Sequence, residues 1–163
     1  MKIIKLFTDG SCHPQSKLGF AAYLKVQDEN KSLEELKKDI KTKKFENTSS
    51  TKLEVQTLLW ALNDLKCIDA QIIVYTDCQN IIGLNNRRKR FENNNYLTAK
   101  KTLIANHDLY KEFYILMDEL NFKLIKVKGH KKTSQKDYID DVFTLVDKAS
   151  RDKLRESILK IIC

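Results

Sequence analysis

Apolar residues along the chain fall into short runs broken by charged or turn-forming positions, and the spacing within each run differs. "KIIKLFTD" (2–9) reads as a first strand, and "GFAAYLKV" (19–26), beyond a loop containing Pro14, as a second. Asp28, Glu29 and Asn30 mark a turn. In the stretch that follows, Leu33, Leu36 and Ile40 recur helically, whereas "IKTKKFE" (40–46) reads as a strand; the first half is open between helix and strand. From Thr51 to Lys66, Leu58, Leu59, Leu62 and Leu65 return at helical spacing and predict the clearest helix of the chain. A strand at 72–76, a polar and basic section at 78–120 and a strand "FKLIKVK" (122–128) come next. A last helix from about Val142 to Ile162 carries Phe143, Val146, Leu154 and Ile158. Hairpin-linked early strands and helical crossovers between later ones make an α/β layout with a mixed sheet.

Composition narrows this picture without changing it. With 163 residues, 42% apolar, one Pro, four Gly and no repeat period, the chain is expected to be a single domain without an internal linker. The first apolar run is interrupted by Lys2 and Lys5 and is too short to span a bilayer, so no secretory or membrane segment is expected. Cys12, Cys67, Cys78 and Cys163 show no paired C-x-x-C spacing and read as free thiols of a reducing, cytoplasmic setting. A net charge of +8 favours a polyanionic partner such as nucleic acid, although a soluble protein that is merely basic has the same count.

The acids change the picture more. Two strands end on the same Thr-Asp spelling, at Asp9 and Asp77, and Asp is a poor strand residue that is rarely buried alone. Each is read either as a turn or cap residue or as a member of a site at the carboxyl ends of the strands. Glu54 shares a helix face with Leu58, Ala61 and Leu65 and so points toward the sheet, while Thr51-Lys52-Leu53-Glu54 also spells a capping box. Asp147 lies on the last helix, where an exposed pair with Arg151 at i+4 is the plain alternative. Taken together, carboxylates converging from several elements repel unless cations neutralise them, and all-oxygen donors suit Mg²⁺ or Mn²⁺. Two such ions about 4 Å apart can activate water and stabilise the leaving oxygen of a phosphodiester. An acidic metal nest in a basic protein points to a nuclease.

The ordered set "TDGS" with Asp9, "STKLEVQTLLWAL" with Glu54, "TDCQ" with Asp77, "VKGH" with His130 and "VDKASR" with Asp147 resembles the type 1 ribonucleases H over nearly the whole chain. The resemblance implies a ribonuclease H-like fold, a five-stranded mixed sheet flanked by helices. It further implies a two-Mg²⁺ site, with Mn²⁺ as an alternative ion, and hydrolysis of the RNA strand of RNA–DNA hybrids to 5′-phosphate and 3′-hydroxyl ends. Carried over by position, Asp9, Glu54, Asp77 and Asp147 are the metal ligands, and His130 assists proton transfer or product departure. "NNRRKRF" (85–91) and "AKKT" (99–102) resemble the family's basic protrusion, at about 84–108, in which Arg87, Arg88, Lys89, Arg90, Lys100 and Lys101 contact phosphates. A solvated charged face is the alternative for these cations. Phe91 and Tyr96 either stack on the DNA strand or pack the protrusion. Gly10, Ser11, Ser50, Thr51 and Gln79 complete the expected substrate contacts; His13 and His107 have no assigned role.

This chain departs from the family at three places. Ser50 and Thr51 stand where an Asn pair is common, Phe143 stands where an Asn is frequent, and Asp147 follows His130 by seventeen positions, a long interval. A monomeric, metal-dependent endoribonuclease on RNA–DNA hybrids is the leading reading. A non-catalytic hybrid or double-stranded-RNA binding module, and a related nuclease with another nucleic-acid substrate, are the alternatives.

Overall fold

The computed structural model describes residues 2–129 and 131–162. Five strands form one mixed sheet: β1 (Ile3–His13), β2 (Leu18–Val26), β3 (Lys41–Phe45), β4 (Gln71–Thr76) and β5 (Phe122–Lys126), ordered β3-β2-β1-β4-β5. β1 pairs antiparallel with β2 and β2 with β3, as hairpin-like neighbours should, whereas β1–β4 and β4–β5 are parallel and need crossovers. The outer strands β3 and β5 are five residues each.

Strand alternation sorts the side chains into two cores. Ile4 and Leu6 of β1, Tyr23 of β2 and Ile72 and Val74 of β4 pack with the helix α2 (Ser50–Leu65) on one face. α3 (Gln79–Ile82), α4 (Leu84–Asn93) and α5 (His107–Glu119) join that face. Phe7, Ala22, Leu24, Val26 and Tyr75 turn the other way. They meet α1 (Leu33–Lys38) and α6 (Tyr138–Ile162).

Three element boundaries differ from the sequence expectation, each for a local reason. β1 continues four residues past Asp9, because β2 goes on pairing with it to His13–Leu18 after β4 has ended at Thr76. The stretch 33–38 is a helix, capped by Ser32, whose hydroxyl accepts from the Glu35 N–H. α6 starts at Tyr138 rather than Val142, since Asp137 and Asp140 accept each other's backbone N–H in a reciprocal cap. The capping box of α2 is not formed by Thr51 and Glu54. Ser49 is the cap, accepting from Lys52 N–H at 3.2 Å, and Glu54 is thereby released for other work.

Glycine decides how closely α2 approaches the sheet. A Cβ on Gly10 would sit 2.9 Å from Leu53 Cγ and Cδ2, and one on Gly19 2.8 Å from Leu53 Cδ2 and Thr48 Cγ2. Two glycines on paired strands thus seat the first turn of α2, and with it Glu54, against β1.

Candidate active site

β4 stops at Thr76 while β1 runs on, which leaves a gap in the sheet beside Asp9. Asp77 follows the last residue of β4 at the rim of this gap, and Glu54 reaches it from α2. One carboxylate oxygen from each of Asp9, Glu54 and Asp77 lies within 4.8 Å of the others. Asp9 is 4% exposed, Glu54 is half-buried and Asp77 is exposed. Asp147 comes from α6 and also hydrogen-bonds the Asp9 carboxyl, so all four acids meet here.

The electrostatics follow from this crowding. Burial pushes the Asp9 carboxyl far above the ordinary carboxylate range, and the charges of Glu54, Asp77 and Asp147 push it further. Glu54 is raised for the same reasons, chiefly burial and then Asp77, against the lowering effect of its bonds to Asp9 and to the Gly10 N–H. Glu54 Oε2 is buried without a hydrogen-bond partner. A buried, orphaned carboxylate oxygen is costly unless something positive takes it up. Four oxygen donors of this kind suit a hard divalent cation, and their residues fit one. Asp147 is additionally fixed by Arg151, whose Nη2 donates to Oδ2 at 2.7 Å.

The remaining expected residues divide by position. Ser11 Oγ meets Ser150 Oγ at 3.2 Å, tying β1 to α6 one turn beyond Asp147. Ser50 and Thr51 are exposed in the first turn of α2. Gln79 opens α3, and its Oε1 accepts from Lys126 Nζ at 2.7 Å. Lys89, Arg90, Lys100 and Lys101 are exposed at the surface. Arg87 and Arg88 are instead engaged within the protein. Arg87 donates to Asn80 O and Oδ1, and Arg88 makes a two-pronged pair with Asp118 at 2.6 and 2.7 Å and a bond to Glu92. Phe91 and Tyr96 are buried, Phe91 stacks on Tyr110 at 5.7 Å, and both rings pack the protrusion. Between α4 and α5 the chain is folded tightly, with Asn95, Tyr96, Lys101 and Asn106 at positive φ and a bridge from Leu97 to Leu103. His130 lies outside the described residues.

Sequence reasoning passed over two supporting groups. Thr76 Oγ1 accepts from the Cys78 N–H and shapes the turn that carries Asp77, a role its place just before the acid could have signalled. Ser150, fully buried, is visible only as a small residue one turn after Asp147.

The family model described as RNase H matches residues 1–148. The chain belongs to the RNase H family. It is 30% identical over 135 residues to the ribonuclease H of Clostridium botulinum, covering 80% of this chain and 85% of that one. It is 28% identical to that of Ruthia magnifica, covering 92% and 99%, and 26% identical to that of Caldicellulosiruptor saccharolyticus, covering 87% and 94%. Among solved structures, the RNase H domain of PFV superposes with a TM-score of 0.71 at 16% identity, covering 91% of this chain and 92% of that one. The foamy viral protease-reverse transcriptase in complex with an RNA/DNA hybrid matches with a TM-score of 0.70 at 9% identity, covering 92% of this chain and 19% of that one. At these identities the structural matches speak to the fold, which is the RNase H fold. α6 runs fourteen residues beyond the end of the family match.

Proposed function

We propose that this RNase H family member is a divalent-metal-dependent endoribonuclease that hydrolyses the RNA strand of RNA–DNA hybrids, leaving 5′-phosphate and 3′-hydroxyl ends. One observation carries the reading: three carboxylate oxygens from β1, α2 and the end of β4 converge within 4.8 Å, with the Glu54 Oε2 buried and unpartnered among them. Degenerate binding modules have no reason to retain such a costly cluster. The family membership, the ribonucleases H among its relatives and the hybrid-bound structural neighbour support the substrate class.

Asp9, Glu54, Asp77 and Asp147 would hold two Mg²⁺ or Mn²⁺ ions. Bound there, the ions would acidify water and offset charge on the phosphate and the leaving oxygen. The chain's own part is positional. Gly10 and Gly19 set the depth of Glu54, the Gly10 N–H fixes one of its oxygens, Arg151 orients Asp147, and the Thr76 turn presents Asp77. Ser50 and Thr51, in the first turn of α2, and Gln79, which opens α3, would offer hydroxyl and amide groups to the minor groove of a hybrid. Lys89, Arg90, Lys100 and Lys101 would contact backbone phosphates, and Arg87 and Arg88 would do so only by exchanging their internal partners. His130, four positions past the end of β5 in the sequence, would assist proton transfer or product departure. We extend the reading to a cytoplasmic monomer; among the described residues no helix is long and apolar enough to cross a membrane.

The test is cleavage of a labelled RNA–DNA hybrid beside double-stranded RNA, single-stranded RNA and a junction. The expected result is hybrid cleavage with Mg²⁺ or Mn²⁺, none with EDTA, and a loss of two or more orders of magnitude in Asp9→Asn, Glu54→Gln and Asp77→Asn. A folded protein that cuts none of the hybrid, or an Asp9→Asn variant of full activity, refutes the proposal.

A further inference from the structure

The long segment between His130 and Asp147 builds something the fold does not require. On the α6 side of the four acids lies a cavity of about 340 Å³ whose floor is Val127 and Phe143, both buried. Its walls carry Lys128, Lys131, Lys136 and Arg151, and Asp77 and Asp147 form the border it shares with the acidic cluster.

Two of these four cations are neutralised inside the protein. Lys131 Nζ donates to Asp140 Oδ2 at 3.0 Å, where Asp140 is buried and also caps α6, and Arg151 donates to Asp147. Lys136 reaches only the Thr144 hydroxyl, at 3.4 Å, and no ion pair within 4 Å involves Lys128 or Lys136 among the described residues. Lys128 and Lys136 are therefore the two lining cations outside these ion pairs, on a wall whose formal charge is +1 once Asp77, Asp140 and Asp147 are counted against the four cations. The Lys131–Asp140–Asp137 chain of bonds holds the loop that displays them. Phe143, at the position where the family frequently has Asn, supplies an apolar floor in place of a polar group.

The pocket and the basic protrusion lie on opposite faces of the sheet. Phe91 and Tyr96 of the protrusion belong to the α2-side core, while Val127 and Phe143 belong to the α6-side core. The acids sit between the two at the gap where β4 ends. A polyanion laid across the acids from the protrusion would thus continue onto Lys128 and Lys136.

We propose that this pocket is a second phosphate-binding subsite, taking a backbone phosphodiester of the bound nucleic acid on the far side of the acidic cluster from the protrusion, with Lys128 and Lys136 as its contacts. This rests on the nucleic-acid reading of the site but is tested independently of cleavage. In an Asp9→Asn background, the affinity for a labelled RNA–DNA hybrid is measured against salt concentration in Mg²⁺, with and without Lys128→Gln/Lys136→Gln. Removing two phosphate-binding cations should weaken binding roughly tenfold at moderate salt and flatten the slope of log Kd against log salt by about two. Lys37→Gln/Lys38→Gln, which removes the same charge from α1, should leave the slope close to that of the parent. Melting temperatures confirm that each variant is folded, and both lysine pairs are exposed or half-buried, so folding should survive. An unchanged slope in the Lys128/Lys136 variant, or an equal change in both double variants, overturns the subsite. Failure of the wild-type protein to cut the hybrid overturns the proposed activity and leaves the slopes to decide the subsite alone.

Discussion

Replacing Asp9 by Asn should make the metal-free protein more stable while destroying its response to Mg²⁺. Asp9 is 4% exposed and faces three other acids, so burial and their charges raise its carboxyl in the metal-free folded chain far above the ordinary value of 3.8. A carboxyl whose folded value is raised adds no penalty below the unfolded value. Its cost appears as pH rises above that value and grows until the folded value is passed. Between 3.8 and pH 7 lie about three pKa units at about 1.4 kcal/mol each, which bounds the cost at about 4 kcal/mol. Because Asp9 and Glu54 share the strain, removing one acid should recover part of it, on the order of 1–3 kcal/mol, or about 3–10 °C in Tm for a chain of this size. The assay is thermal unfolding of wild type and Asp9→Asn in EDTA from pH 3.5 to 8, then in saturating Mg²⁺. The difference in Tm should be near zero at the acid end and widen toward neutrality. Mg²⁺ should raise the Tm of the wild type and close the gap. An Asn variant that melts below wild type in EDTA at pH 7, or a difference that does not depend on pH, refutes the reasoning.

Other outcomes follow from the packing. Phe91→Ala removes a buried ring that stacks on Tyr110 and should cost about 3–5 kcal/mol by denaturant unfolding, since the ring packs the protrusion; weaker hybrid binding at undiminished stability would show instead that it contacts substrate. Gly10→Ala places a methyl 2.9 Å from Leu53 Cγ, so it should cost about 1–3 kcal/mol and weaken the Mg²⁺-induced rise in Tm, because Glu54 moves with the first turn of α2. Tyr23→Phe deletes a 2.6 Å bond to Asp64, which lies at the far end of α2 from Glu54; it should cost about 0.5–1.5 kcal/mol in stability and leave hybrid cleavage unchanged. Arg151→Ala should lower the apparent Mg²⁺ affinity read from activity more than it lowers maximal activity, since it releases Asp147 rather than removing a ligand.

Much of this molecule was readable from residue spacing. The strands at Ile4–Leu6, Ala21–Leu24 and Ile72–Thr76 and the helix through Leu58–Leu65 are strongly periodic, and the structure returns them nearly unchanged. Three of the four acids are brought within one metal's reach, and Asp147 hydrogen-bonds the first of them. What the sequence left unresolved depends on partners distant along the chain. Nothing near Asp9 tells that β2 extends β1 past it, because the pairing partner of His13 is Leu18 across the hairpin. Thr51 and Glu54 spell a cap as well as Ser49 does, and only the seating of Leu53 against Gly10 and Gly19 decides between them. Arg87 and Arg88 look like free cations in "NNRRKRF" because Asn80 and Asp118, which engage them, lie seven and thirty residues away.

The two outer strands give the protein's charge a second meaning. β3 reads Lys-Thr-Lys-Lys-Phe and β5 Phe-Lys-Leu-Ile-Lys, so both open edges of the sheet are short and studded with lysines. A further strand offered to either edge would have to bury or crowd ammonium groups while its backbone paired, which discourages one chain from zipping onto the next as it leaves the ribosome or unfolds. Five of the thirty basic residues stand on these two edges. The +8 net charge is accordingly spread over places with different surroundings, and the five lysines on the sheet edges contribute to it while making those edges repel their own kind.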